Sequence, residues 1–300
     1  MHRSLGIAGA VIMKLQASLL ADVHAVLGES PVWSPKDNRL VWIDMPRGVI
    51  VMTDPSDGSS ERYMFGAPTG AIGLRKGGGY VVASGQSCCL LAAPGTSPVA
   101  LAETGDRASG LVLNDGKVDP WGGFVVGEIC PAEHAKQGRL FRFDTAGERS
   151  VLLEGVTMSN GLDWSPSKRE FYYVDTATAG LDVFAVGENG ELGNRRRLID
   201  VSRDEGLADG LCIDSEGCLW LAIWGVGIVR RYSPDGEPIA EVQVPVSRVT
   251  SCTFGGANLS TLFITTASIR SAMGGEPEES AGGLFAVDTD TRGQDPREFG

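Results

Sequence analysis

The stretch Asn160-Gly-Leu-Asp-Trp164-Ser-Pro leads, after a short polar gap, to Phe171-Tyr-Tyr-Val-Asp175, and this unit decides the fold. The same pattern occurs earlier as Glu29-Ser-Pro-Val-Trp33-Ser-Pro followed by Leu40-Val-Trp-Ile-Asp44, and the two copies align without a gap. Short apolar runs broken by Gly, Pro, Asp and Asn are typical of β-strands and turns. A repeat of such units indicates an all-β repeat protein.

Four further copies of the unit complete the pattern. They begin at Gly70, Asn114, Asp209 and Thr250, so that the six equivalent positions follow one another at intervals of 41, 44, 46, 49 and 41 residues. This spacing matches the ~40 to 50 residues of a four-stranded propeller blade. The sequence therefore predicts an all-β protein that forms one six-bladed β-propeller.

The two ends of the chain bear on how the ring closes. The sixth repeat is one strand short after residues 283–287, and the run 15–20 has the pattern of a strand that completes it. Joining N- and C-terminal strands in one blade removes the free sheet edges that an open repeat exposes. We expect residues 1–12 to be a leader or a mis-assigned start, 13–290 to form the propeller, and 291–300 to be a polar tail.

Composition excludes several classes of partner. Among the 300 residues, 38 acidic side chains outnumber 26 basic ones, which gives a formal net charge of -12. This charge repels nucleic acids and anionic membrane surfaces, so we exclude both as partners. The six cysteines lack zinc-type spacing, which favours buried reduced thiols. We expect a cytoplasmic protein that is a monomer or a weak homo-oligomer, although the leader weakly resembles a signal peptide.

In a propeller, the residue that enters each innermost strand lies at one mouth of the central channel, so equivalent positions converge. Two carboxylates brought together raise each other's pKa unless a cation lies between them. Oxygen-only ligands favour a hard divalent ion. We expect one ion per chain, calcium first, with magnesium, manganese, zinc or iron as alternatives. The six converging positions are Glu29, Gly70, Asn114, Asn160, Asp209 and Thr250.

Three of these residues also have a simpler explanation, because Asn and Asp before a strand are common turn formers. Asn114, Asn160 or Asp209, taken singly, would fit a turn. Glu has little turn preference, so the occurrence of Glu29 at the equivalent place favours a site.

Four motifs resemble those of the SMP-30/gluconolactonase/regucalcin family of six-bladed propellers, over a span from about residue 15 to residue 288. The resemblance implies a metal held by Glu29, Asn160 and Asp209, with Asn114 contacting the substrate or a metal-bound water. The motifs are Leu27-Gly-Glu29-Ser-Pro-Val-Trp33, Asn114-Asp-Gly-Lys-Val-Asp-Pro120, Ser159-Asn-Gly-Leu-Asp-Trp-Ser165 and Ala208-Asp-Gly-Leu-Cys-Ile-Asp214.

Two positions depart from the pattern of the family. Val112 stands where many sugar lactonases have an arginine that contacts substrate hydroxyls, which leaves the identity of the substrate open. The Gly-Thr-Met turn of the family reads Gly127-Glu-Ile129 here and adds a carboxylate, Glu128, near the channel. We expect Val112 and Glu128 to border the substrate, with a solvated or salt-bridged Glu128 as the alternative.

The resemblance implies hydrolysis of a small sugar-acid lactone, an aldonolactone, to the free acid. Opening this cyclic ester needs a polarised carbonyl, an activated water and a stabilised oxyanion, and a metal can supply the first and third. Asp209 is the candidate base, a role that Glu29 could exchange with it. Trp224 and Trp33 are expected to wall the pocket, with aromatic core packing as the alternative.

Two other functions stay open at this level. A phosphotriesterase-type propeller also uses oxygen-ligated calcium, and a propeller can bind calcium without catalysis. A serine hydrolase is disfavoured, because the chain has only three histidines and no Gly-x-Ser-x-Gly elbow.

Overall fold

The computed structural model of the protein describes residues 12–66, 68–105, 110–130, 136–269 and 278–300. In these residues the regular structure is almost entirely β-strand, with two single-turn 3-10 helices, η1 (Thr176–Thr178) and η2 (Arg203–Glu205). No helix in the described ranges combines the length and apolarity needed to cross a membrane. The expected leader, 1–12, lies outside the described residues apart from its last position.

The strands form six sheets arranged as blades. Two strands, β1 (Met13–Gln16) and β2 (Ser18–Ala21), precede the first blade. Blades one to three contain, from the channel outward, β3 (Gly28–Ser34), β4 (Arg39–Asp44), β5 (Val49–Thr53) and β6 (Ser60–Met64); β7 (Thr69–Arg75), β8 (Tyr80–Ser84), β9 (Ser87–Leu91) and β10 (Val99–Glu103); and β11 (Val112–Val118), β12 (Phe124–Ile129), β13 (Gly138–Phe143) and β14 (Arg149–Val156).

Blades four to six follow the same order and complete the ring. They contain β15 (Ser159–Trp164), β16 (Glu170–Asp175), β17 (Gly180–Val186) and β18 (Leu192–Asp200); β19 (Leu207–Ile213), β20 (Leu219–Trp224), β21 (Ile228–Tyr232) and β22 (Pro238–Gln243); and β23 (Val249–Gly255), β24 (Thr261–Thr266) and β25 (Leu284–Asp288), before the short final strand β26 (Glu298–Phe299). Each innermost strand contacts the next, and β23 contacts β3. The predicted six-bladed β-propeller is confirmed.

The sixth blade is closed by an N-terminal strand, as the sequence predicts. β2 pairs antiparallel with β25, with Leu19 opposite Phe285. The expected closing run, 15–20, is nevertheless divided, because β1 adds to the outer edge of blade five, parallel to β22. Between the two strands, the buried Ala17 donates its backbone N–H to Gln243 O at 2.9 Å. The chain thus passes from one blade to the next at Ala17.

Apolar side chains fill the spaces between neighbouring blades. Between blades six and one, Trp33, Trp42 and Phe263 belong to one buried cluster, in which the rings of Trp33 and Phe263 stack at a centroid distance of 5.9 Å. Such a ring pair adds ~0.5–1.5 kcal/mol to the effect of the buried area alone. The core-packing alternative therefore holds for Trp33, which is 2% exposed.

A β-bulge interrupts each of the six innermost strands near its start. A bulge releases residues from the hydrogen-bonded ladder and turns their side chains. The positions that the repeat makes equivalent lie at these bulges, which frees their side chains to face the channel mouth. The register shifts between Glu29 and Val32, Thr69 and Ala71, Leu113 and Gly116, Ser159 and Leu162, Ala208 and Leu211, and Val249 and Ser251.

Residues 291–300, expected as a polar tail, lie across the opposite mouth, where the innermost strands end. β26 pairs in parallel with the end of β7, with Glu298 opposite Leu74. Gly300 donates its N–H to Gly122 O at 3.1 Å, so the segment also reaches blade three. Arg297 of this segment pairs with the buried Asp163 at 2.7 Å, so the segment packs against the channel instead of projecting into solvent.

Candidate active site

Four polar side chains come together where the innermost strands begin. Glu29, Asn114, Asn160 and Asp209 are the second or third residues of β3, β11, β15 and β19, and each is only 7–9% exposed. The strands approach closely at this point, because a Cβ added at Gly161 would lie 2.6 Å from Asp209 O. The structure places all four of these predicted residues at one mouth of the channel.

The two remaining equivalent positions have structural roles. A Cβ added at Gly70 would lie 2.3 Å from Leu113 O, so β7 and β11 pack too closely for a side chain there. Thr250 is fully buried, and its hydroxyl donates to Gly28 O at 2.5 Å. This bond ties blade six to blade one beside Glu29.

Glu29 and Asp209 are buried carboxylates that form no ion pair with a basic side chain in the described part of the chain. Burial raises the pKa of Glu29 well above its ordinary value, and the charges of Asp209 and Asp115 raise it further. Burial and the charge of Asp115 likewise raise the pKa of Asp209. Like charges in so small a volume are unfavourable, and a cation between them would remove that repulsion.

Hydrogen bonds fix the two amides of the group. Asn114 Nδ2 donates to Ser159 O at 2.7 Å and to Asn160 Oδ1 at 2.8 Å, which uses both of its protons. Asn160 Nδ2 donates to Thr176 Oγ1 at 2.7 Å. Asn160 Oδ1 thus keeps one lone pair, and Asn114 Oδ1 accepts no hydrogen bond from the described residues. Each amide therefore has an oxygen with a free lone pair, which can accept from or coordinate a bound group.

This donor set fits a hard divalent cation. The available atoms are carboxylate oxygens of Glu29 and Asp209 and amide oxygens of Asn114 and Asn160, with no thiol or imidazole among these four side chains. Calcium, magnesium and manganese prefer such oxygen ligands, whereas structural zinc sites use thiolate and imidazole. The two carboxylates also supply two negative charges, which balance a divalent ion.

A second acidic group in the described residues does not fit a metal. Asp214, Glu216 and Cys218 present ligand atoms within 4.8 Å of one another. Arg231 already pairs with Asp214 at 2.7 Å and with Glu216 at 2.6 Å, and Trp220 Nε1 donates to Asp214 at 2.9 Å. Arg231 and Trp220 thus already neutralise and hydrogen-bond the carboxylates of this group, which gives the group a structural role in blade five.

Asp115, which the sequence did not predict as a site residue, lies next to the four predicted residues, since its charge acts on both Glu29 and Asp209. It follows Asn114 within the bulge of β11, is half-buried, and lines the channel. Burial raises the pKa of Asp115 to about 6, although the charge of Lys117 opposes the shift. Strict alternation along a strand turns neighbouring side chains to opposite faces, so only the bulge brings both residues to the channel.

Further along the channel lies an ion-pair network that ends at the C-terminal segment. Asp163 accepts from Lys117 Nζ at 3.0 Å and from Arg297 Nη1 at 2.7 Å. Burial alone would raise the pKa of Asp163, but the two cations hold it below its ordinary value. Gln294 Nε2 donates to Trp164 O at 2.9 Å. The cavity above the segment has a volume of about 90 Å³, room for several water molecules.

Glu128 does not belong to the channel group. Its side chain, in β12, is 1% exposed, and the carboxylate accepts from the backbone N–H of Arg139 at 2.9 Å and from Arg139 Nε at 3.2 Å. The expectation that Glu128 borders the substrate is therefore corrected to the salt-bridged alternative. The physical reason is that Arg139, on the neighbouring strand, occupies both carboxylate oxygens.

Val112 and Trp224 lie at the same mouth as the four converging residues. Val112 begins β11, and because Leu113 points into the core between blades, Val112 and Asn114 project from the other side of the strand. Trp224 ends β20 opposite Leu207, at the start of β19. Both residues are half-buried and border the mouth, so their contact with substrate stays a prediction.

The fold and this site define a class of proteins: six-bladed propellers with buried carboxylates and amides at one mouth of the channel. Residues 27–268 match the sequence family described as SMP-30/Gluconolactonase/LRE-like region. The chain belongs to this family, which confirms the resemblance stated from its motifs.

Two relatives illustrate the range of the family. Regucalcin from Homo sapiens is 36% identical over 270 residues, which cover 87% of this chain and 90% of that protein. The 6-deoxy-6-sulfogluconolactonase of Pseudomonas putida is 38% identical over 243 residues, which cover 81% of this chain and 84% of the relative. These relatives support, at a coarse level, a lactonase.

Solved structures show the same fold. A regucalcin from Agrobacterium tumefaciens, described as a calcium-binding protein, superposes with a TM-score of 0.89 at 23% identity and covers 97% of this chain and 99% of its own. A luciferin-regenerating enzyme has a TM-score of 0.86 at 23% identity and covers 94% and 98%.

Proposed function

We propose that the protein is a divalent-metal-dependent hydrolase that opens a small sugar-acid lactone to the free acid. The observation that carries this proposal is the pairing of two buried carboxylates, Glu29 and Asp209, without a basic partner among the described residues. Two amide oxygens beside them complete a set of hard ligands. We propose that the ion is calcium, with magnesium or manganese as substitutes of the same chemistry.

Glu29, Asn160 and Asp209 would hold the ion. When bound, a divalent cation polarises the lactone carbonyl and stabilises the negative charge of the tetrahedral oxyanion. The hydrogen bond from Asn114 Nδ2 to Asn160 Oδ1 keeps the Asn160 oxygen facing this group.

Asp209 is our candidate for the general base. Its carboxylate would take a proton from the attacking water as that water adds to the lactone carbonyl. In the metal-free site, burial and the charge of Asp115 raise the pKa of this group. Glu29 shares the same surroundings and could exchange this role with Asp209. Asn114 acts differently: with both Nδ2 protons used, it can only accept a hydrogen bond, for instance from a sugar hydroxyl.

The substrate class rests on the relatives and on the form of the mouth. The family description names gluconolactonase, and one relative is named as a sulfogluconolactonase. In this chain the half-buried Val112 and Trp224 border the entrance. We propose a sugar lactone of modest size as the partner, and a cytoplasmic monomer or weak homo-oligomer as the functional form.

A panel of aldonolactones, corrected for spontaneous opening, tests the proposal. We expect hydrolysis that is lost with a chelator, regained on adding calcium or manganese, and lowered at least 100-fold by Asp209→Asn. Glu128→Gln, which alters a buried carboxylate of blade three, is the matched control and should keep activity. Tight metal binding without hydrolysis of any lactone would favour the calcium-binding alternative, and hydrolysis of organophosphate triesters alone would favour the phosphotriesterase.

A further inference from the structure

Thr176 joins two of the strands that carry the proposed ligands. It is the buried first residue of η1, directly after β16. Its hydroxyl accepts from Asn160 Nδ2 at 2.7 Å and donates to Ala208 O at 2.7 Å. Ala208 immediately precedes Asp209, so this single hydroxyl lies between β15 and β19.

The direction of every hydrogen bond in this chain of groups is fixed from both ends. At one end Ser159 O can only accept, so Asn114 must present Nδ2 to it and to Asn160. At the other end Ala208 O can only accept, so the one hydroxyl proton of Thr176 is committed there. Thr176 must therefore accept from Asn160, which leaves the Asn160 oxygen as the atom that faces the channel.

The backbone around Thr176 is held firmly. The Asp175 carboxylate accepts from the backbone N–H groups of Thr157 and Met158, both at 3.0 Å. Thr176 donates its own N–H to Met158 O at 3.1 Å. The hydroxyl is thus presented to Asn160 from a fixed support.

We propose that Thr176 is a positioning residue of the candidate site: its hydroxyl sets the orientation of the Asn160 amide and the spacing between Asn160 and Asp209. The inference rests on the proposed function, because it concerns a ligand of the proposed ion. An isosteric valine at this position would leave Ala208 O and one Asn160 N–H without partners, and the amide could rotate.

Calorimetric titration of the metal-free protein with calcium tests the proposal. Groups that orient a metal ligand change affinity by ~10- to 100-fold when removed, and we expect a loss of this size in Thr176→Val. Thr176→Ser keeps the hydroxyl and should bind within about threefold of the wild type. Thr53→Val is the matched control, since Thr53 Oγ1 also accepts from a buried side chain, Trp42 Nε1 at 3.0 Å, but lies in the third strand of blade one.

The outcomes separate the two proposals. Calcium binding equal to wild type in a folded Thr176→Val protein would overturn the role of Thr176 and leave the proposed function standing. A wild-type protein that binds no divalent ion would overturn both. An equal loss of affinity in Thr53→Val would show a general effect of stability and would also overturn the inference. If Thr176→Val does not fold, Thr176→Ala removes the hydroxyl without placing a methyl against Asn160, and the same criteria apply.

Discussion

Asn114 and Asn160 belong to neighbouring blades and are 46 residues apart, yet Nδ2 of the first donates to Oδ1 of the second at 2.8 Å. The bond makes the two amides one unit, because neither can rotate without breaking the hydrogen bonds of the other. A change at Asn114 should therefore alter both its proposed contact to substrate and the orientation of a proposed ligand.

The proposed ligands can be tested by isosteric neutralisation. Glu29→Gln and Asp209→Asn each remove one of the two charges that balance a divalent ion, and we expect calcium affinity to fall at least 100-fold in either variant. Titration calorimetry measures the effect, with Glu128→Gln as a buried carboxylate outside the group. Retention of wild-type affinity in both variants would rule out this site, provided that circular dichroism shows a native fold.

The same carboxylates predict an unusual pH dependence of stability in the metal-free protein. Glu29, Asp209 and Asp115 have raised pKa values in the folded state, so the folded protein holds their protons more tightly than the unfolded chain does. Stability therefore falls as pH rises from ~4, the ordinary carboxyl value, through these raised values, which for Asp115 is about 6.

Thermal melts in the presence of a chelator measure this dependence. We expect the metal-free protein to melt at least ~2 °C lower at pH 8 than at pH 5.5, the shift that ~1 kcal/mol produces in a domain of this size. Saturating calcium or the Glu29→Gln change should reduce the difference. Asp163, whose pKa is lowered, acts in the opposite sense, but only as the pH falls below ~4. A metal-free protein that gains stability between pH 5.5 and pH 8 would contradict the prediction.

The C-terminal segment should protect two thiols in the channel. Cys212 and Cys252 line the cavity above it, with their sulfur atoms 3.7 Å apart. Arg297→Ala removes the ion pair that fastens the segment to Asp163, and we expect maleimide labelling of both cysteines to rise at least tenfold. Mass spectrometry of the digested protein follows each site, with the half-buried Cys89 as internal reference.

Arg292→Ala is the matched control for this experiment. Arg292 lies in the same segment, and its one ion-pair partner among the described residues is the exposed Asp295. Its removal should leave labelling at the wild-type rate. Equal labelling rates in wild type and Arg297→Ala would show that the segment does not close the channel.

Substrate preference should respond to the residue at position 112. Val112 offers no hydrogen bond, whereas an arginine there would donate to sugar hydroxyls, and a charged hydrogen bond is worth ~1.5 to 3 kcal/mol. We expect Val112→Arg to change the ratio of kcat/KM between hexono- and pentonolactones by roughly ten- to a hundredfold. Val151→Arg, on the exposed outer strand β14, controls for the added charge. An unchanged ratio would place position 112 away from the substrate.

Two truncations test how the ring is closed. Removal of residues 1–12 should leave the melting temperature unchanged, since β2 and its pairing with β25 stay intact. Removal of residues 1–20 takes away β1 and most of β2, exposes the edge of β25, and should lower the melting temperature by roughly 5 °C or more. An equal loss from both truncations would mean that the first twelve residues contribute to the fold.

Blade order and the position of the site could be predicted because both follow from the repeat. The gapless match between the Glu29 and Asn160 units fixes one register, and equivalent positions in a ring must converge. The division of the closing run at Ala17 could not be predicted, because both halves have the pattern of a strand. Only the pairing of β1 with β22 assigns the first half to blade five instead of blade six.

Residues that depend on tertiary contacts were missed. Asp115 reaches the channel through a bulge, which strand periodicity does not reveal. The ion pair between Arg297 and Asp163 joins residues 134 apart. The polar composition of the C-terminal segment does not reveal that one of its side chains pairs with a buried carboxylate. Glu128 was misplaced for the same reason, since its partner Arg139 belongs to the next strand of the blade.

The pairing of β2 with β25 also has a consequence for synthesis of the protein. Residue 284, where β25 begins, is made 266 residues after residue 18, where β2 begins. At roughly 5–20 residues per second, the ribosome needs roughly 13 to 50 s to cover that distance. During this interval β2 lacks its partner β25, and the apolar Leu19 and Leu20 are available to other nascent chains. Propeller closure is therefore a late event in synthesis. A chaperone bound to residues 18–21 would prevent aggregation through this strand until β25 has been made.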